Sequence, residues 1–444
     1  MTLDYKNWSN TGPNLSNDVL NNSPTIKDGP NAGLAGDEAT VIHFPRIARA
    51  LRHRDFRLFW AGNFTSNVGT WMQNVAQGWL VLKLSNSAFW LGMVGFASSV
   101  PILFFALIGG VIADHVNKRK LLMVTQSIMA ISAFAMAFLT WRHWITVDWI
   151  TLLALVTGIA MSLNTPSYQA LVPTLIPRED LTNAIGLNSA QFNMSRVIGP
   201  TLGGFAMSLL GEAGNFFLNG LSFLAVIVAL TQIHYGQADS PLEGQLWRKL
   251  KEGFGYVFSH RQMSPLVVLT AVCSLLAVPY LIFIPYFARD VLRTGETGLG
   301  ILMACSGVGA FFGAATIAHL GNLRRRGFFV VRAGTGFFAS IFFFTFSRNF
   351  YLSGFLLMCA GYFMITMVAT INSLLQHLSD DAMRGRTMSI YSTAFLGLPP
   401  IGSLIAGLLS HKFTPSHVIA GMAAMALVGS LTVFAGNVEL RELD

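Results

Sequence analysis

The sequence predicts an all-α membrane protein with twelve transmembrane helices in two six-helix pseudo-repeats. Of its 444 residues, 53% are hydrophobic and only 11% are charged, whereas soluble domains carry roughly 25% charged residues. Apolar runs of membrane-spanning length, about 20 residues, follow one another from residue 57 to residue 436. These runs lack the polar–apolar alternation that is typical of a membrane β-barrel, so we predict helices.

The apolar runs set the order of the predicted spans. A polar stretch divides the first six from the last six, and a shift of 203 residues places Gly110 on Gly313 and Gly199 on Gly402. Internal repeats of this kind are typical of secondary transporters, which bind their substrate between the repeats. The spans cover residues 57–83, 88–113, 121–140, 149–170, 184–210, 213–234, 264–288, 297–320, 328–347, 351–375, 387–411 and 415–436.

Composition divides the chain into five parts. Residues 1–45 are rich in Asn, Ser, Gly, Asp and Pro and show no apolar periodicity, which predicts a disordered cytoplasmic tail. An N-terminal six-helix half, a cytoplasmic linker, a C-terminal six-helix half and a short cytoplasmic tail follow, at residues 46–234, 235–262, 263–436 and 437–444.

Lysine and arginine are distributed unevenly over the connections between the spans. One set of alternate connections includes the basic triplets 118–120 and 324–326, and the positive-inside rule places this richer set in the cytoplasm. We therefore predict a multi-pass protein of the cytoplasmic (inner) membrane with both termini in the cytoplasm. The net charge of +8 then reflects topology rather than nucleic-acid binding. The poorer set of connections contains Lys83, Arg142, Arg289, Arg293, Arg348 and Lys412.

The segment "GGVIADHVNKRK", residues 109–120, ends the second span with a conformational motif. Gly110 has no side chain to keep a neighbouring helix away, and Asp114 follows four residues later. This carboxylate is placed to accept hydrogen bonds from another helix N-terminus, such as that of span eleven, while Lys118 and Arg119 hold the loop in the cytoplasm. The alternative is a loop that only follows the topology rule, with Asp114 as a solvated helix end.

The fifth span contains small residues at helical spacing. In "GLNSAQFNMSRVIGPTLGG", residues 186–204, small residues stand four apart at positions 195, 199 and 203, which lets two helix backbones touch. Pro200 has no N–H for the Arg196 carbonyl, so we expect a bend or a free acceptor there. The alternative is an ordinary packing helix. The motif consists of Gly186, Ser195, Gly199, Pro200, Gly203 and Gly204.

These two motifs resemble those of the major facilitator superfamily, and the likeness covers about residues 46–436. The loop motif departs from the family pattern at His115 and Asn117, where a basic residue and a glycine are usual. The fifth-span pattern is similar to the branch of enterobactin and macrolide-type exporters, the transmembrane secretion effectors. The resemblance implies a secondary active transporter that exports a small organic molecule, a siderophore or an amphipathic drug, by alternating access with proton coupling.

Polar side chains form one stripe on the first span. A membrane helix with a stripe of amides should not face lipid, so we predict that this stripe lines a water-filled cavity. The alternative is hydrogen bonding between helices. The stripe comprises Asn63, Ser66, Asn67, Thr70, Gln73, Asn74 and Gln77, within an arc of about 120° at ~100° per residue. Cavity candidates on other spans are Asn164, Gln169, Asn188, Gln191, Asn372 and Tyr391.

Arg196 is a further cavity candidate, about twelve residues or roughly 18 Å into the fifth span. A charged side chain at this depth is costly and indicates a functional site. None of the predicted spans has a deep Asp or Glu to pair with it, so both a structural contact and an anionic substrate remain open as its partner. Because proton relays commonly use such carboxylates, proton coupling rests on the family resemblance.

None of the sequence motifs indicates an enzyme. The chain lacks a phosphate-binding loop for ATP, and Cys273, Cys305 and Cys359 lie in apolar runs without metal-ligand spacing. We expect no cofactor and no metal, with a small-molecule substrate and membrane lipid as partners; the oligomeric state stays open. Uptake or lysolipid flipping by the same fold, or a non-transporting receptor or scaffold, are the alternatives to export.

Overall fold

The computed structural model describes residues 46–233, 246–320, 326–381 and 383–437, and it leaves out the side chains of residues 46, 47, 105–115, 246–251 and 320. The predicted tail at 1–45, nearly all of the tail at 437–444 and the first part of the linker at 235–262 lie outside the described residues. The described residues are helical apart from short connections.

The first helix set occupies residues 54–232. A short 3₁₀ segment, Arg46–Arg52, precedes it. Its helices are α1 (Arg54–Ser85), α2 (Ala88–His115), α3 (Lys118–Trp141), α4 (Val147–Leu171) and α5 (Leu181–Gln232).

Helix α5 folds back on itself at Gly211. The φ angle of Gly211 is 67°, in the left-handed region that glycine adopts readily because it has no Cβ atom. Across this bend, the Asn215 side chain donates to the Gly203 carbonyl over 2.8 Å. Residues 181–210 and 212–232 therefore form two passes, as the predicted spans at 184–210 and 213–234 require.

The second helix set occupies residues 263–436, and α6 (Leu246–Ser259) precedes it. Its first pass consists of α7 (Met263–Val272) and α8 (Tyr280–Tyr286), joined by a π-helical turn at Cys273–Ala277 and followed by a second at Phe287–Val291. The later helices are α9 (Gly295–Leu320), α10 (Arg326–Phe346), α11 (Phe350–Leu378), α12 (Arg384–Gly397), α13 (Pro399–Leu409) and α14 (Pro415–Gly436).

Helix length and composition agree with the predicted membrane fold. Among the described residues, nine segments are long and apolar enough to cross a membrane. One of them, Arg178–Gln232, has 55 residues and contains the Gly211 bend, so it is long enough for two crossings. Together with α1, whose amide stripe lowers its hydropathy, and α2, the segments are consistent with twelve spans.

Helix α6 lies within the predicted linker, where no helix was expected. Side-chain hydrogen bonds connect it to the second helix set. Arg386 donates to Glu252 over 2.7 Å, and the Tyr256 hydroxyl donates to Asp380 over 3.0 Å. The division of the chain into halves at 235–262 stays a prediction.

The two ends of the bundle are named here by one residue each. The Asn86 end is where α1 stops and α2 begins, and there Lys83 pairs with Glu212 at 2.8 Å. The Asp180 end is where α4 connects to α5, and there the Asp180 carboxylate lies 2.7 Å from a ring nitrogen of His53.

Glycines toward the Asn86 end bring the backbones of the two helix sets into contact. A Cβ atom on Gly92 of α2 would lie 2.8 Å from the Gly407 Cα of α13. A Cβ atom on Gly204 of α5 would lie 2.9 Å from the Gly300 Cα of α9. Because real Cβ contacts are longer than this, only glycine permits these backbones to touch, and the sets are closed against each other there.

Candidate functional site

A cavity of about 230 Å³, here called the amide cavity, lies between the two helix sets. Helices α1 and α2 of the first set line it, together with α8 and α9 of the second. Its polar lining consists of Asn74, Gln77, Ser98 and Ser99, and its largest ring is Trp71. The remaining lining is apolar, so the cavity combines few polar groups with a hydrophobic wall, as small-molecule sites do.

A second cavity of about 340 Å³, here called the hydroxyl cavity, lies nearer the Asp180 end. Gln169 of α4 lines it, opposite the α12 residues Ser389, Ser392 and Thr393. Helix α2 borders both cavities. Its residues Leu91, Val94, Gly95, Ser98 and Ser99 line the amide cavity, and Ile102 and Leu103 line the hydroxyl cavity. The two cavities thus follow one another along α2.

The polar stripe of α1 divides into two flanks. Asn74 and Gln77 lie on the flank that lines the amide cavity. Gln73, on the other flank, is buried and accepts a 2.7 Å hydrogen bond from Asn219 of α5. The stripe therefore serves both expected purposes, cavity lining and helix contact. The half-buried stripe residues Asn63, Asn67 and Thr70 line neither of the two cavities.

Asn164 joins two helices and lines neither cavity. Its side-chain oxygen accepts from Thr125 at 3.1 Å and from Gln126 at 3.2 Å, both on α3. It is buried, so this network satisfies its acceptor inside the bundle. The structure thus places this predicted cavity residue in the packing between α3 and α4.

The second-set candidates also bond within their own set. Asn372 accepts from Gln376 at 2.6 Å, one turn further along α11. Tyr391 of α12 is buried and donates to the Val368 carbonyl of α11 over 3.1 Å. Neither residue lines the two cavities described above.

Helix α5 carries a row of polar atoms that lack partners in the described part of the chain. They are Asn188 Oδ1, Gln191 Oε1 and Ser195 Oγ. Buried polar atoms are normally hydrogen-bonded, and these three lie on one face of α5 at helical spacing. The predicted candidates Asn188 and Gln191 therefore belong to a polar face whose bonding capacity is unused among the described residues.

Arg196 lies where α5 meets α1 and α9. Its guanidinium carbon is 5.9 Å from the centre of the Trp71 ring of α1. A Cβ atom on Gly307 of α9 would lie 2.6 Å from the Arg196 carbonyl. Arg196 is only 7% exposed. Within the described residues, no ion pair or hydrogen bond to its side chain is found.

The fifth-span motif is a packing surface with two faces. One face meets α1, because a Cβ atom on Gly199 would lie 2.4 Å from Trp71 Cβ and one on Gly203 would lie 2.9 Å from Met72 Cα. The other face is Gly204, which packs on α9. Gly186 has no neighbouring atom within 4 Å of its Cβ position, so it takes no part in this packing.

The helix does not break at the proline of this motif. Helix α5 keeps helical φ and ψ angles through Pro200 and departs from them at Gly211. The carbonyl of Arg196, which Pro200 cannot bond, is the atom that Gly307 of α9 approaches. The freed acceptor therefore faces the second helix set, and the bend at Pro200 stays a prediction.

The conformational motif is described only in part. The surroundings of Gly110 and the side chain of Asp114 are not described, so the docking contact of Asp114 with span eleven stays a prediction. Lys118 is buried. Arg119 donates to the Thr231 carbonyl over 2.9 Å, where a cation complements the negative end of the α5 dipole.

Asn117 explains one departure from the family pattern. Its side-chain oxygen accepts from the Lys120 backbone N–H at 3.1 Å. Asparagine is a favourable N-cap because it satisfies an N–H group that has no helical partner. The residue that replaces the usual glycine thus begins α3.

Sequence reasoning missed several cavity residues. Trp71 is next to the α1 stripe on a helical wheel and could have been found as its flank. Ser98 and Ser99 are the only adjacent serines in the apolar run of α2. No sequence feature distinguishes the α12 lining residues Ser389, Ser392 and Thr393, because small hydroxyl residues are also common where membrane helices pack against each other.

The transmembrane secretion effector family matches residues 48–444 of the chain. The staphyloferrin A transporter of Staphylococcus aureus is 22% identical over 362 residues, which are 80% of this chain and 90% of the relative. The multidrug efflux pump Tap of Mycolicibacterium fortuitum is 24% identical, over 86% of this chain and 95% of the relative. The enterobactin exporter of Citrobacter koseri is 23% identical, over 86% and 94%.

Solved structures share the fold. The D-xylose-proton symporter superimposes with a TM-score of 0.69 and 12% identity, over 88% of this chain and 99% of that chain. The nucleoside transporter NupG superimposes with a TM-score of 0.68 and 13% identity, over 86% and 98%. These likenesses confirm the predicted all-α membrane fold.

Proposed function

Because the chain belongs to the transmembrane secretion effector family of the major facilitator superfamily, we propose that it exports a small organic molecule across the cytoplasmic membrane by alternating access. The molecule is a siderophore or an amphipathic drug, and its export is coupled to protons. Transporters of this architecture bind substrate between their repeats and expose the site to each side of the membrane in turn.

The position of the amide cavity is the main observation that supports this proposal. It lies between the two helix sets, and its polar groups Asn74 and Gln77 come from the first span. Toward the Asn86 end, the contacts of Gly92 with Gly407 and of Gly204 with Gly300 close the sets. A site at the contact of two bodies changes its access when the bodies rock, which is what alternating access requires.

The charge distribution supports an orientation. The Asp180 end carries the arginines around residues 49–57 and the basic loop after α2, and the Asn86 end carries few cations. By the positive-inside rule, the Asp180 end faces the cytoplasm. The hydroxyl cavity is then the route by which a cytoplasmic substrate reaches the amide cavity, and the closed glycine contacts face outward.

The names of the relatives support the direction of transport. Two of the similar proteins are described as an exporter and an efflux pump, and siderophores occur in the names of two. These descriptions belong to the relatives. For this chain they make siderophores and drugs the first panel to test.

Proton coupling needs a group that titrates during the cycle. In the described part of the first helix set, Glu212 lies at the α5 bend beside Lys83. In the second set, Asp290 lies at the same end beside Arg289. Both carboxylates lie at the Asn86 end rather than deep in a span, so the proposal of proton coupling is supported by the family alone.

Transport into everted membrane vesicles tests the function. The chain is expressed in a bacterial host that lacks its own efflux pumps, and a panel of siderophores and amphipathic drugs is offered with and without an imposed pH gradient. We expect at least one compound to accumulate in everted vesicles, and the gradient to increase its accumulation. Accumulation in right-side-out vesicles instead would indicate uptake, and equal accumulation with and without the protein would exclude transport of the panel.

A further inference from the structure

We propose that Arg196 binds the carboxylate of the transported molecule, which is an amphipathic monoanion with an aromatic or other flat apolar part. The inference rests on the proposed transport function and names its substrate class. It starts from Arg196 and Trp71, whose guanidinium carbon and ring centre lie 5.9 Å apart.

The first step is the unpaired charge of Arg196. Its side chain is more than nine-tenths buried, and among the described residues it has neither a carboxylate nor a hydrogen-bond acceptor. Burying a guanidinium without compensation is unfavourable, so buried charges are normally paired. The Trp71 ring at 5.9 Å offers only a weak cation–π contact. The site therefore has a capacity for one negative charge that the described chain does not fill.

The second step is the position of Arg196 between the helix sets. Its own helix, α5, and Trp71 belong to the first set, whereas Gly307, which packs on the Arg196 backbone, belongs to the second. Separation of α5 from α9 during alternating access uncovers the guanidinium. An anion that binds it then offsets the cost of burying the charge when the sets close again.

The third step is the link from Arg196 to the amide cavity. The Trp71 ring lines this cavity beside Asn74 and Gln77. A flat apolar group that stacks on Trp71 brings an attached carboxylate to the guanidinium once the indole rotates. The amides then bind neutral polar groups of the same molecule.

The fourth step is the chemistry of the ligand. A guanidinium presents parallel N–H donors that match a carboxylate, and this pair is stronger than a neutral hydrogen bond. One cation favours one negative charge, since a second carboxylate would remain unpaired in the buried site. The neighbouring ring and apolar walls favour an apolar body.

Binding of a matched acid and ester tests the proposal. The full-length protein in lipid nanodiscs is titrated with dansylglycine and with its methyl ester, and dansyl fluorescence reports binding. We expect the acid to bind at least roughly tenfold more tightly than the ester. Arg196→Gln should remove this difference by weakening the acid alone, and Arg196→Lys should retain part of it because it keeps the charge but loses the paired donors.

Arg142→Gln is the matched control. Arg142 also lies against tryptophans, 4.9 Å from the Trp144 ring, but it is exposed at the end of α3. This variant should keep the acid preference. If Arg196→Gln fails to fold, the ratio of acid to ester affinity in Arg196→Lys tests instead whether Arg196 gives the preference for the acid. An equal affinity of the wild type for both probes, or an unchanged ratio in the Arg196 variants, overturns the proposal.

Transport of the ester separates this proposal from the proposed function. If Arg196→Gln still exports the ester but no longer distinguishes the acid, both proposals are supported. If the wild type exports acid and ester equally, the function stands and the role of Arg196 is overturned. If the wild type exports no compound of any panel although it binds the acid through Arg196, the anion site stands and the export proposal fails.

Discussion

Arg289 donates a 2.8 Å hydrogen bond to the side-chain oxygen of Asn86 and thereby joins the two helix sets at the Asn86 end. A second terminal nitrogen of Arg289 donates to the Leu82 carbonyl in the last turn of α1. Cations are favourable at helix C-termini, where the carbonyl groups lack helical partners. The bond therefore holds α1 against the second helix set only while the Asn86 end is closed.

Replacement of Arg289 should open the Asn86 end. Because the side chain is partly exposed, Arg289→Gln should weaken closure by about 1 kcal/mol, which is roughly a fivefold change in the equilibrium between conformations. Labelling of Asn74→Cys by a membrane-impermeant maleimide, in a background without native cysteines, measures access from that side. Arg142→Gln at the same end is the control, and an unchanged labelling rate in Arg289→Gln would remove the gating role.

A methyl group on Gly92 should prevent full closure. Its Cβ atom would lie 2.4 Å from the Ser403 carbonyl oxygen, and overpacking of this kind costs about 1–3 kcal/mol. Gly92→Ala should therefore slow export at least roughly fivefold. Gly186→Ala is the matched control, because its Cβ position has no neighbour within 4 Å. Export at the wild-type rate by Gly92→Ala would show that the contact of α2 with α13 need not close.

The two flanks of the α1 stripe should respond differently to truncation. Gln73→Ala leaves the Asn219 amide without its 2.7 Å partner and should lower the free energy of unfolding by about 1–3 kcal/mol. Asn74→Ala lines the amide cavity and should change substrate affinity while stability stays the same. Thermal unfolding of each variant in detergent measures its stability, and a substrate-binding titration of the same variant measures its affinity. Lost stability in Asn74→Ala together with altered substrate affinity in Gln73→Ala would contradict the assignment of the two flanks.

The Asp180 carboxylate should contribute stability that depends on pH. It lies in the turn before α5 with only 1% of its side chain exposed. The hydrogen bond with His53 lowers the pKa of Asp180 below its ordinary value, burial opposes this, and Arg49 and Arg52 lower it further. A lowered carboxyl pKa favours the folded protein above the unfolded pKa, and this contribution is lost as pH falls through the folded pKa.

Asp180→Asn should therefore be less stable than the wild type at pH 7, and the difference should begin to shrink as pH falls below the usual carboxyl range toward the lowered folded pKa. Unfolding temperatures in detergent between pH 7 and pH 3 measure this. Glu179→Gln is the matched control, since its exposed carboxylate is 3.6 Å from Arg52 and exposed pairs contribute little. A constant difference between Asp180→Asn and wild type across the pH range would contradict the role of the charge.

Sequence reasoning gave the fold because hydropathy and length determine where membrane helices lie. It also found the polar stripe of α1 and the interval between the two passes of α5. It could not predict that Gln73 contacts another helix whereas Asn74 lines the amide cavity, because these adjacent amides differ only in what packs beside them. Helix α6 was missed because the linker was assigned from its charged residues, although Val257 within it is buried. Arg196 could not be assigned a partner from spacing alone.

Distances measured at both ends of the bundle test alternating access most directly. Spin labels at Leu84 and Phe413 report on the Asn86 end, and labels at Glu179 and Asp381 report on the Asp180 end; all four side chains are exposed. Pulsed electron resonance on wild type and Arg289→Gln gives the distance distribution of each pair. We predict that the substitution increases the long-distance population at the Asn86 end and the short-distance population at the Asp180 end together. A change at one end alone, or at neither, would contradict alternating access about the amide cavity.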